Sequence, residues 1–213
     1  MGPSMRIGIF GGTFDPVHVG HLVLAEQCRE QCRLDEVWFV PAALPPHKLD
    51  VVISPAKNRV EMIEFAIAGN PQFKVCPIEL DRAGPSYTVM TLEQLRAEDP
   101  TRELFLLVGA DSIREMPTWR QPQRILELAT IVAVNRGRDL QADQVTQRQV
   151  IQSFGAGAAE RIEFVEMPAI DISASDIRRR VSEGRSLRYL VPRAVEMYLR
   201  EQGIYAGGKP VTS

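Results

Sequence analysis

Short apolar runs alternate with helix-length patterns along most of this 213-residue chain. The runs are 6–10 (RIGIF), 36–40 (EVWFV), 73–78 (FKVCPI), 103–108 (ELFLLV), 130–134 (TIVAV) and 161–166 (RIEFVE). Several are continuously apolar, which suits strands covered on both faces. Helical patterns lie between them, at 20–32, 55–68, 88–98, 112–116 and 121–128. Such alternation predicts right-handed β-α-β units and a parallel sheet. In a sheet of that kind ligands sit beyond the carboxyl ends of the strands, where the strand order reverses.

The remaining segments are less regular. Residues 41–54 (PAALPPHKLDVVIS) are proline-rich and read as a surface loop, and 135–160 is polar with room for one helix around 143–153. Ser175 is placed to cap a helix over 176–183, Pro192 fits a first helical turn, and Gly203 fits a stop. Two closing helices are therefore expected near the sheet. The opening Met1-Gly2-Pro3-Ser4, followed by a second Met, reads as a cloning remnant, and the closing GGKPVTS reads as loose. One unit over 5–205 is expected, with about 170–205 as a helical subregion.

Composition narrows the function classes. Lys+Arg number 25 and Asp+Glu 27, for a net charge of −2, so no basic field points to nucleic acid. No apolar run is long enough to span a bilayer and no signal-peptide pattern opens the chain, so a cytoplasmic location is expected. The cysteines, Cys28, Cys32 and Cys76, are odd in number and fit a reducing compartment. Cys28 and Cys32 share a helix face, but no second pair or nearby histidine completes a metal site, so they read as small buried hydrophobes.

The chemistry concentrates directly after the first strand, in GIFGGTFDPVHVGH (8–21). Gly11-Gly12-Thr13 allow a tight turn with amides open to a close ligand. His18-Val19-Gly20-His21 then opens a helix, whose N-terminus favours phosphate. Spacing i, i+3 puts both imidazoles on one helix face, and Gly20 between them leaves room for a bulky ligand. This placement, for two of three histidines in the chain, reads as a polyphosphate clamp. The plainer alternative is one capping and one core histidine. A protein-held metal would need a third ligand, and the remaining histidine, His47, lies on a distant loop. Neither the G-x-G-x-x-G spacing nor a G-K-[ST] ending is present, so the turn is neither a dinucleotide fingerprint nor a P-loop. A second cluster, Ile172-Ser173-Ala174-Ser175-Asp176-Ile177-Arg178, puts hydroxyls and an arginine at another helix start, as an anion site or an ordinary cap with solvated arginines.

GGTFDPVHVGH together with ISASDIR resembles the H-x-G-H nucleotidylyltransferases. PPHK at 45–48, SYT at 86–88, GADS at 109–112, PTW at 117–119 and VNRG at 134–137 resemble the nicotinate-nucleotide adenylyltransferase family within them. The resemblance implies a doubly wound, Rossmann-like parallel sheet with helices on both faces and a small C-terminal helical part. It implies transfer of AMP from ATP to nicotinate mononucleotide by direct in-line attack, giving deamido-NAD and pyrophosphate, with Mg²⁺ carried on ATP.

By matching position, the resemblance implies that Phe10, Gly11, Gly12, Thr13 and Gly20 lie against ATP, with His18 and His21 on its phosphates. Ser173, Ser175 and Arg178 would hold the β/γ end, and Lys48 would approach phosphate from the proline loop. Gly109 and Asp111 would face a ribose, and Val134, Asn135 and Arg136 would read adenine through the backbone. Trp119 would stack on the pyridine ring, with Tyr87, Thr88, Thr13, Lys48, Asp111 and Arg136 also on the mononucleotide side. Ser175 stands where the family often has Thr, and it keeps the hydroxyl. From the residues themselves, Trp119 also reads as a core aromatic, Asp111 as an N-cap and Lys48 as a solvated loop lysine. The alternatives are a sibling adenylyl- or cytidylyltransferase with another phosphate acceptor, such as nicotinamide mononucleotide, or a non-catalytic nucleotide-binding module. Small-molecule partners are expected, without nucleic acid or membrane, and an oligomer is left open.

Overall fold

In the computed structural model the structure describes residues 4–43, 53–82, 84–136, 145, 148–149 and 151–206. Its strands are β1 (Arg6–Gly12), β2 (Glu36–Pro41), β3 (Phe73–Val75), β4 (Glu103–Gly109), β5 (Thr130–Arg136) and β6 (Ile162–Met167). They form one sheet in the order β3-β2-β1-β4-β5-β6, with every pairing parallel. The helices are α1 (Val19–Gln31), α2 (Ala56–Ile67), α3 (Thr88–Glu98), α4 (Ala110–Glu115), α5 (Pro122–Leu128), α6 (Ala174–Ser182) and α7 (Arg193–Glu201). The order reverses at β1, between a wing leading to β3 and a wing leading to β6. This is the doubly wound α/β architecture.

The period-2 geometry of strands sorts the core into two layers. Ile7, Ile9, Leu104, Leu106, Ile131 and Ala133 face one side of the sheet and meet α3, α4 and α5 through Val89, Leu92, Leu95, Ile113 and Ile125. Phe10, Phe105, Leu107, Val132 and Val134 face the other side and meet α1, α2, α6 and α7 through Ala25, Cys28, Met62, Ile63, Ile177, Val195 and Leu199. The closing helices therefore belong to the same apolar layer as α1 and α2. Tyr198 of α7 packs on Phe65 of α2 with ring centroids 5.4 Å apart, and its hydroxyl meets Glu61. Among the described residues no helix is long and apolar enough to cross a membrane.

Several boundaries differ from expectation for local reasons. β3 stops at Val75 rather than 78, because Pro77 has no amide to continue the ladder and its carbonyl instead accepts the Leu80 N–H at 2.7 Å, starting a turn. β1 continues through both glycines, with Gly11 opposite Val40 and Gly12 opposite Pro41. β5 runs to Arg136, because β6 continues beside it to Met167. α4 starts at Ala110, with Gly109 as its N-cap, so Asp111 lies in the first turn and is not the cap. Pro192 stands just before α7 rather than in its first turn. Gly203 has φ +61°, the left-handed conformation expected after a helix end. Of the helix expected at 143–153, residues 145, 148–149 and 151–154 are helical, and the rest lies outside the described residues.

Candidate active site at the sheet switch point

The carboxyl ends of β1 and β4 lie side by side where the strand order reverses, as the paired run from Arg6–Glu103 to Ile9–Leu106 dictates. Gly12 ends β1 and Gly109 ends β4. A Cβ added at Gly11 or Gly109 would meet nothing within 4 Å, so both backbones border open space. Gly12 is different, because a Cβ there would come within 2.9 Å of the Phe14 ring. Phe14 holds a left-handed backbone, φ +50°, and is 2% exposed. The bend after β1 is thus built on a buried aromatic: Phe14 packs edge-on to Phe10 at 5.4 Å and against Phe39 at 5.6 Å.

His18 is the N-cap of α1, with φ −145° and ψ 170°, and is 7% exposed. Its backbone N–H donates to His21 Nδ1 at 3.2 Å. That nitrogen is therefore unprotonated, and the proton of a neutral His21 sits on Nε2, which becomes a donor. The two rings stack with centroids 3.6 Å apart and planes 22° apart. Phe10 and Phe14 abut His21 at 5.9 and 5.1 Å. The two rings are thus in direct contact at the start of α1, with His18 at its N-cap.

Two expectations about this helix start need correction. A Cβ at Gly20 would lie 3.1 Å from His18 Nδ1, so the space left by the glycine is occupied by the imidazole rather than kept for a ligand. The Val19 amide donates to the Leu190 carbonyl at 2.9 Å, which removes one of the amides expected to face phosphate.

The C-terminal motif reaches the same loop. Arg178 of α6 donates through Nη1 to the Asp15 carbonyl at 2.7 Å and through Nη2 to Ser175 Oγ at 3.2 Å. Ser173, not Ser175, caps α6: its Oγ accepts the Asp176 amide at 3.1 Å from an extended backbone. Ser175 sits inside the first turn, one helical turn before Arg178. Asp176 binds Arg180 Nε at 2.6 Å and also pairs with Arg179, so those two cations are engaged within their own helix. These arginines hold the Asp176 carboxyl below its ordinary range.

A second set of groups holds the loop from beneath, and sequence reasoning missed it. Arg59 of α2 is 2% exposed and donates to the Thr13 carbonyl at 2.9 Å and to the Ser54 carbonyl at 3.1 Å. The buried Asp15 carboxylate accepts the Ser54 amide at 3.3 Å and the Tyr205 hydroxyl. Burial lowers the Arg59 pKa while the Asp15 charge opposes that shift. Burial and the same carboxylate push the Tyr205 hydroxyl upward. A signal existed in the sequence: Arg59 shares the buried face of α2 with Met62, Ile63 and Ile67, a place where an unpaired arginine would be costly.

The remaining candidates divide by layer. Tyr87 and Trp119 are half-buried against one apolar cluster, on the α3–α5 side of the sheet. Tyr87 is the residue before α3 and Thr88 is its first. The Arg120 guanidinium lies 4.7 Å from the Tyr87 ring centroid, covering part of it. Ser86 Oγ accepts the Ala43 amide at 3.0 Å, tying the end of β2 to the start of α3. Asn135 is buried at the end of β5, where the ladder with β4 stops at Gly109–Val134 but that with β6 runs to Arg136–Met167. Asp111 stands in the first turn of α4 and Arg136 at the last position of β5. Lys48 and His47 lie outside the described residues. Cys28 and Cys32 are buried, and burial pushes the Cys32 thiol up to about 12 and that of Cys28 higher still. Both behave as the small hydrophobes expected.

The arrangement presents imidazoles, a guanidinium, hydroxyls and bare glycine backbone at one edge of the sheet, a donor set suited to phosphate oxygens. Residues 9–180 match the cytidylyltransferase-like family. A protein of Thermus thermophilus named "Probable nicotinate-nucleotide adenylyltransferase" is 48% identical over 202 residues, covering 94% of this chain and 100% of that one. One of the same name from Thermomicrobium roseum is 45% identical over 201 residues, covering 94% and 91%. The fold is shared with Plasmodium falciparum nicotinic acid mononucleotide adenylyltransferase complexed with NaAD, at TM-score 0.73 and 16% identity over 94% of this chain and 97% of that one. By these matches and by the site they frame, the chain belongs to the nicotinate-nucleotide adenylyltransferase family of cytidylyltransferase-like nucleotidyltransferases.

Proposed function

We propose that this chain transfers AMP from ATP to nicotinate mononucleotide, with residues 5–205 acting as one unit. The mononucleotide phosphate oxygen attacks the α-phosphorus of ATP in line. A new P–O–P bridge forms, the bond between the α-phosphorus and the α–β bridging oxygen breaks, and pyrophosphate leaves with deamido-NAD as the other product. Neither nucleophilic side chain nor general base is required, because the attacking group is already an anion. Catalysis is then positioning together with neutralisation of the charge that builds on the triphosphate.

The residues divide that work. Gly11 leaves room for the phosphates to approach the backbone beside Phe10, with Thr13 next to them, and Gly12 acts by admitting the Phe14 ring that shapes the bend. His18 and His21 donate to phosphate oxygens, and the Nε2 proton of His21 suits this role. Arg178 has five N–H donors, two of which engage Asp15 and Ser175. The others are directed to the β/γ end, with Ser173 and Ser175 beside it and Lys48 approaching from the proline loop. Gly20 acts indirectly, by admitting the His18 ring. Gly109 and Asp111 take a ribose, the end of β5 at Val134, Asn135 and Arg136 takes adenine, and Trp119 with Tyr87 and Thr88 takes the nicotinate side. Mg²⁺ arrives as part of the MgATP substrate, keeping several waters and lowering the negative charge of the triphosphate.

The observation that carries this reading is the Arg178–Asp15 hydrogen bond, which brings the C-terminal motif to the loop that ends in the stacked histidines. Product analysis tests it. With ATP and Mg²⁺, nicotinate mononucleotide is expected to give pyrophosphate and deamido-NAD. Pyrophosphate release with nicotinamide mononucleotide alone would assign a sibling activity, and ATP binding without release for any acceptor would leave a binding module.

A further inference from the structure

The loop between Thr13 and His18 must hold one orientation for the imidazoles and Arg178 to serve one triphosphate, and two side chains and one backbone amide outside the recognised motifs enforce it. Arg59 fixes its start by donating to the Thr13 carbonyl. Ser54, through its amide, and Tyr205, through its hydroxyl, both donate to the Asp15 carboxylate, while Arg178 takes the carbonyl of the same residue. Asp15 is thus held by the segment after β2, by the chain beyond α7 and by α6. Its buried charge is offset by Arg59, which lies in the same buried network and is itself 2% exposed.

A polar network in this place calls for a reason beyond stability. Replacing a buried ion pair by apolar side chains of similar volume is often neutral or stabilising, whereas directed hydrogen bonds specify a single geometry. Tyr205 adopts φ +64°, uncommon for a residue with a side chain, and its ring still reaches Asp15 across 190 positions of sequence. Its hydroxyl lies on the same residue that Arg178 engages, so it sits one residue away from a group placed on the triphosphate.

We infer that Tyr205 and Arg59 are positioning residues for nucleotidyl transfer, acting through Asp15 and Thr13 to set the loop that presents His18 and His21. The inference rests on the adenylyltransferase reading for its kinetics but not for its structural test. Tyr205→Phe removes the hydroxyl and keeps the ring, and Asp15→Asn keeps the shape and removes the charge. Steady-state rates with ATP and nicotinate mononucleotide are compared well below the Tm of each variant. Each single variant is expected to lose about tenfold in kcat/KM for ATP, the scale of a modest misplacement of reacting groups, with KM for the mononucleotide changed less than twofold. The double variant is expected to be no worse than Asp15→Asn alone, since both changes act on the same Tyr205–Asp15 interaction. Arg59→Lys, which keeps the charge but not the two-pronged reach, is expected to fall in the same direction.

Hydrogen exchange of the unliganded protein gives a readout separate from activity: Tyr205→Phe should speed exchange of the amides of residues 13–15 and 17–18. Unchanged exchange there, additive losses in the double variant, or a lowered Tm with normal rates for the folded protein would each overturn the inference. If wild-type protein releases no pyrophosphate, the adenylyltransferase reading fails and exchange alone decides: faster exchange upholds the positioning of the loop and unchanged exchange rejects it.

Discussion

Arg178 Nη1 and the carbonyl oxygen of Asp15 lie 2.7 Å apart, joining positions separated by 163 residues. This bond makes one site of two motifs at opposite ends of the chain. The loop it grips ends at His18, and the helix it starts from is capped by Ser173.

The stacked histidines are expected to act together. His18→Ala and His21→Ala should each lower kcat by about 10²–10³, the loss typical of one preorganised charge-stabilising donor. His21→Ala also removes the acceptor for the His18 amide, so its stability should fall by about 1 kcal/mol more than that of His18→Ala. Gly20→Ala should resemble a mild His18 lesion, because the added methyl lies 3.1 Å from His18 Nδ1. Rates and urea midpoints measure both effects, and wild-type turnover in both alanine variants of the histidines would refute their roles.

The two serines of the C-terminal motif should separate cleanly. Ser173→Ala removes the cap of α6 and should cost about 1 kcal/mol of stability. Ser175→Ala loses an exposed contact to Arg178, and should leave the urea midpoint within the error of the measurement while weakening ATP binding. Equal destabilisation by both would contradict the capping assignment.

Trp119→Ala should raise KM for nicotinate mononucleotide by about fivefold or more, since loss of an aromatic stack removes roughly 1–3 kcal/mol, and KM for ATP should stay within twofold. Parallel increases in both constants would argue against stacking.

The thiols supply a pH test. Burial and the neighbouring Glu163 push Cys32 up to about 12, and burial raises Cys28 and Cys76 as well. A raised pKa keeps the thiol protonated at pH 8, so alkylation by iodoacetamide should be slow in the native protein and become fast in denaturant, where the thiols titrate near their ordinary value. Rapid native labelling of Cys28 or Cys32 would contradict the packing of α1.

Much of this architecture is legible in the residues because it is encoded locally. Apolar runs at β1, β4 and β5 and the helical stripes between them are short-range patterns, and they predict the parallel sheet and the position of the bend after β1. The choice between Ser173 and Ser175 as cap is not local in the same sense, because both precede a helical pattern and the backbone angle decides. The role of Gly20 is not legible in the sequence, because the nearest occupant of its empty side is a ring two residues away, in the His18–His21 stack. The support formed by Asp15, Ser54, Arg59 and Tyr205 joins segments whose proximity only the closed fold creates, and no spacing rule links them. Arg59 alone left a trace, as a cation on an apolar helix face.

The central claim is that one triphosphate meets the stacked imidazoles, the glycine bend and Arg178 together. A crystal structure with a non-hydrolysable ATP analogue and Mg²⁺ tests it most directly. The account predicts His21 Nε2 and the Arg178 guanidinium within hydrogen-bond reach of oxygens on the same triphosphate, above Gly11 and Gly12. A triphosphate bound elsewhere, with His18, His21 and Arg178 still enclosed by protein partners alone, would contradict it.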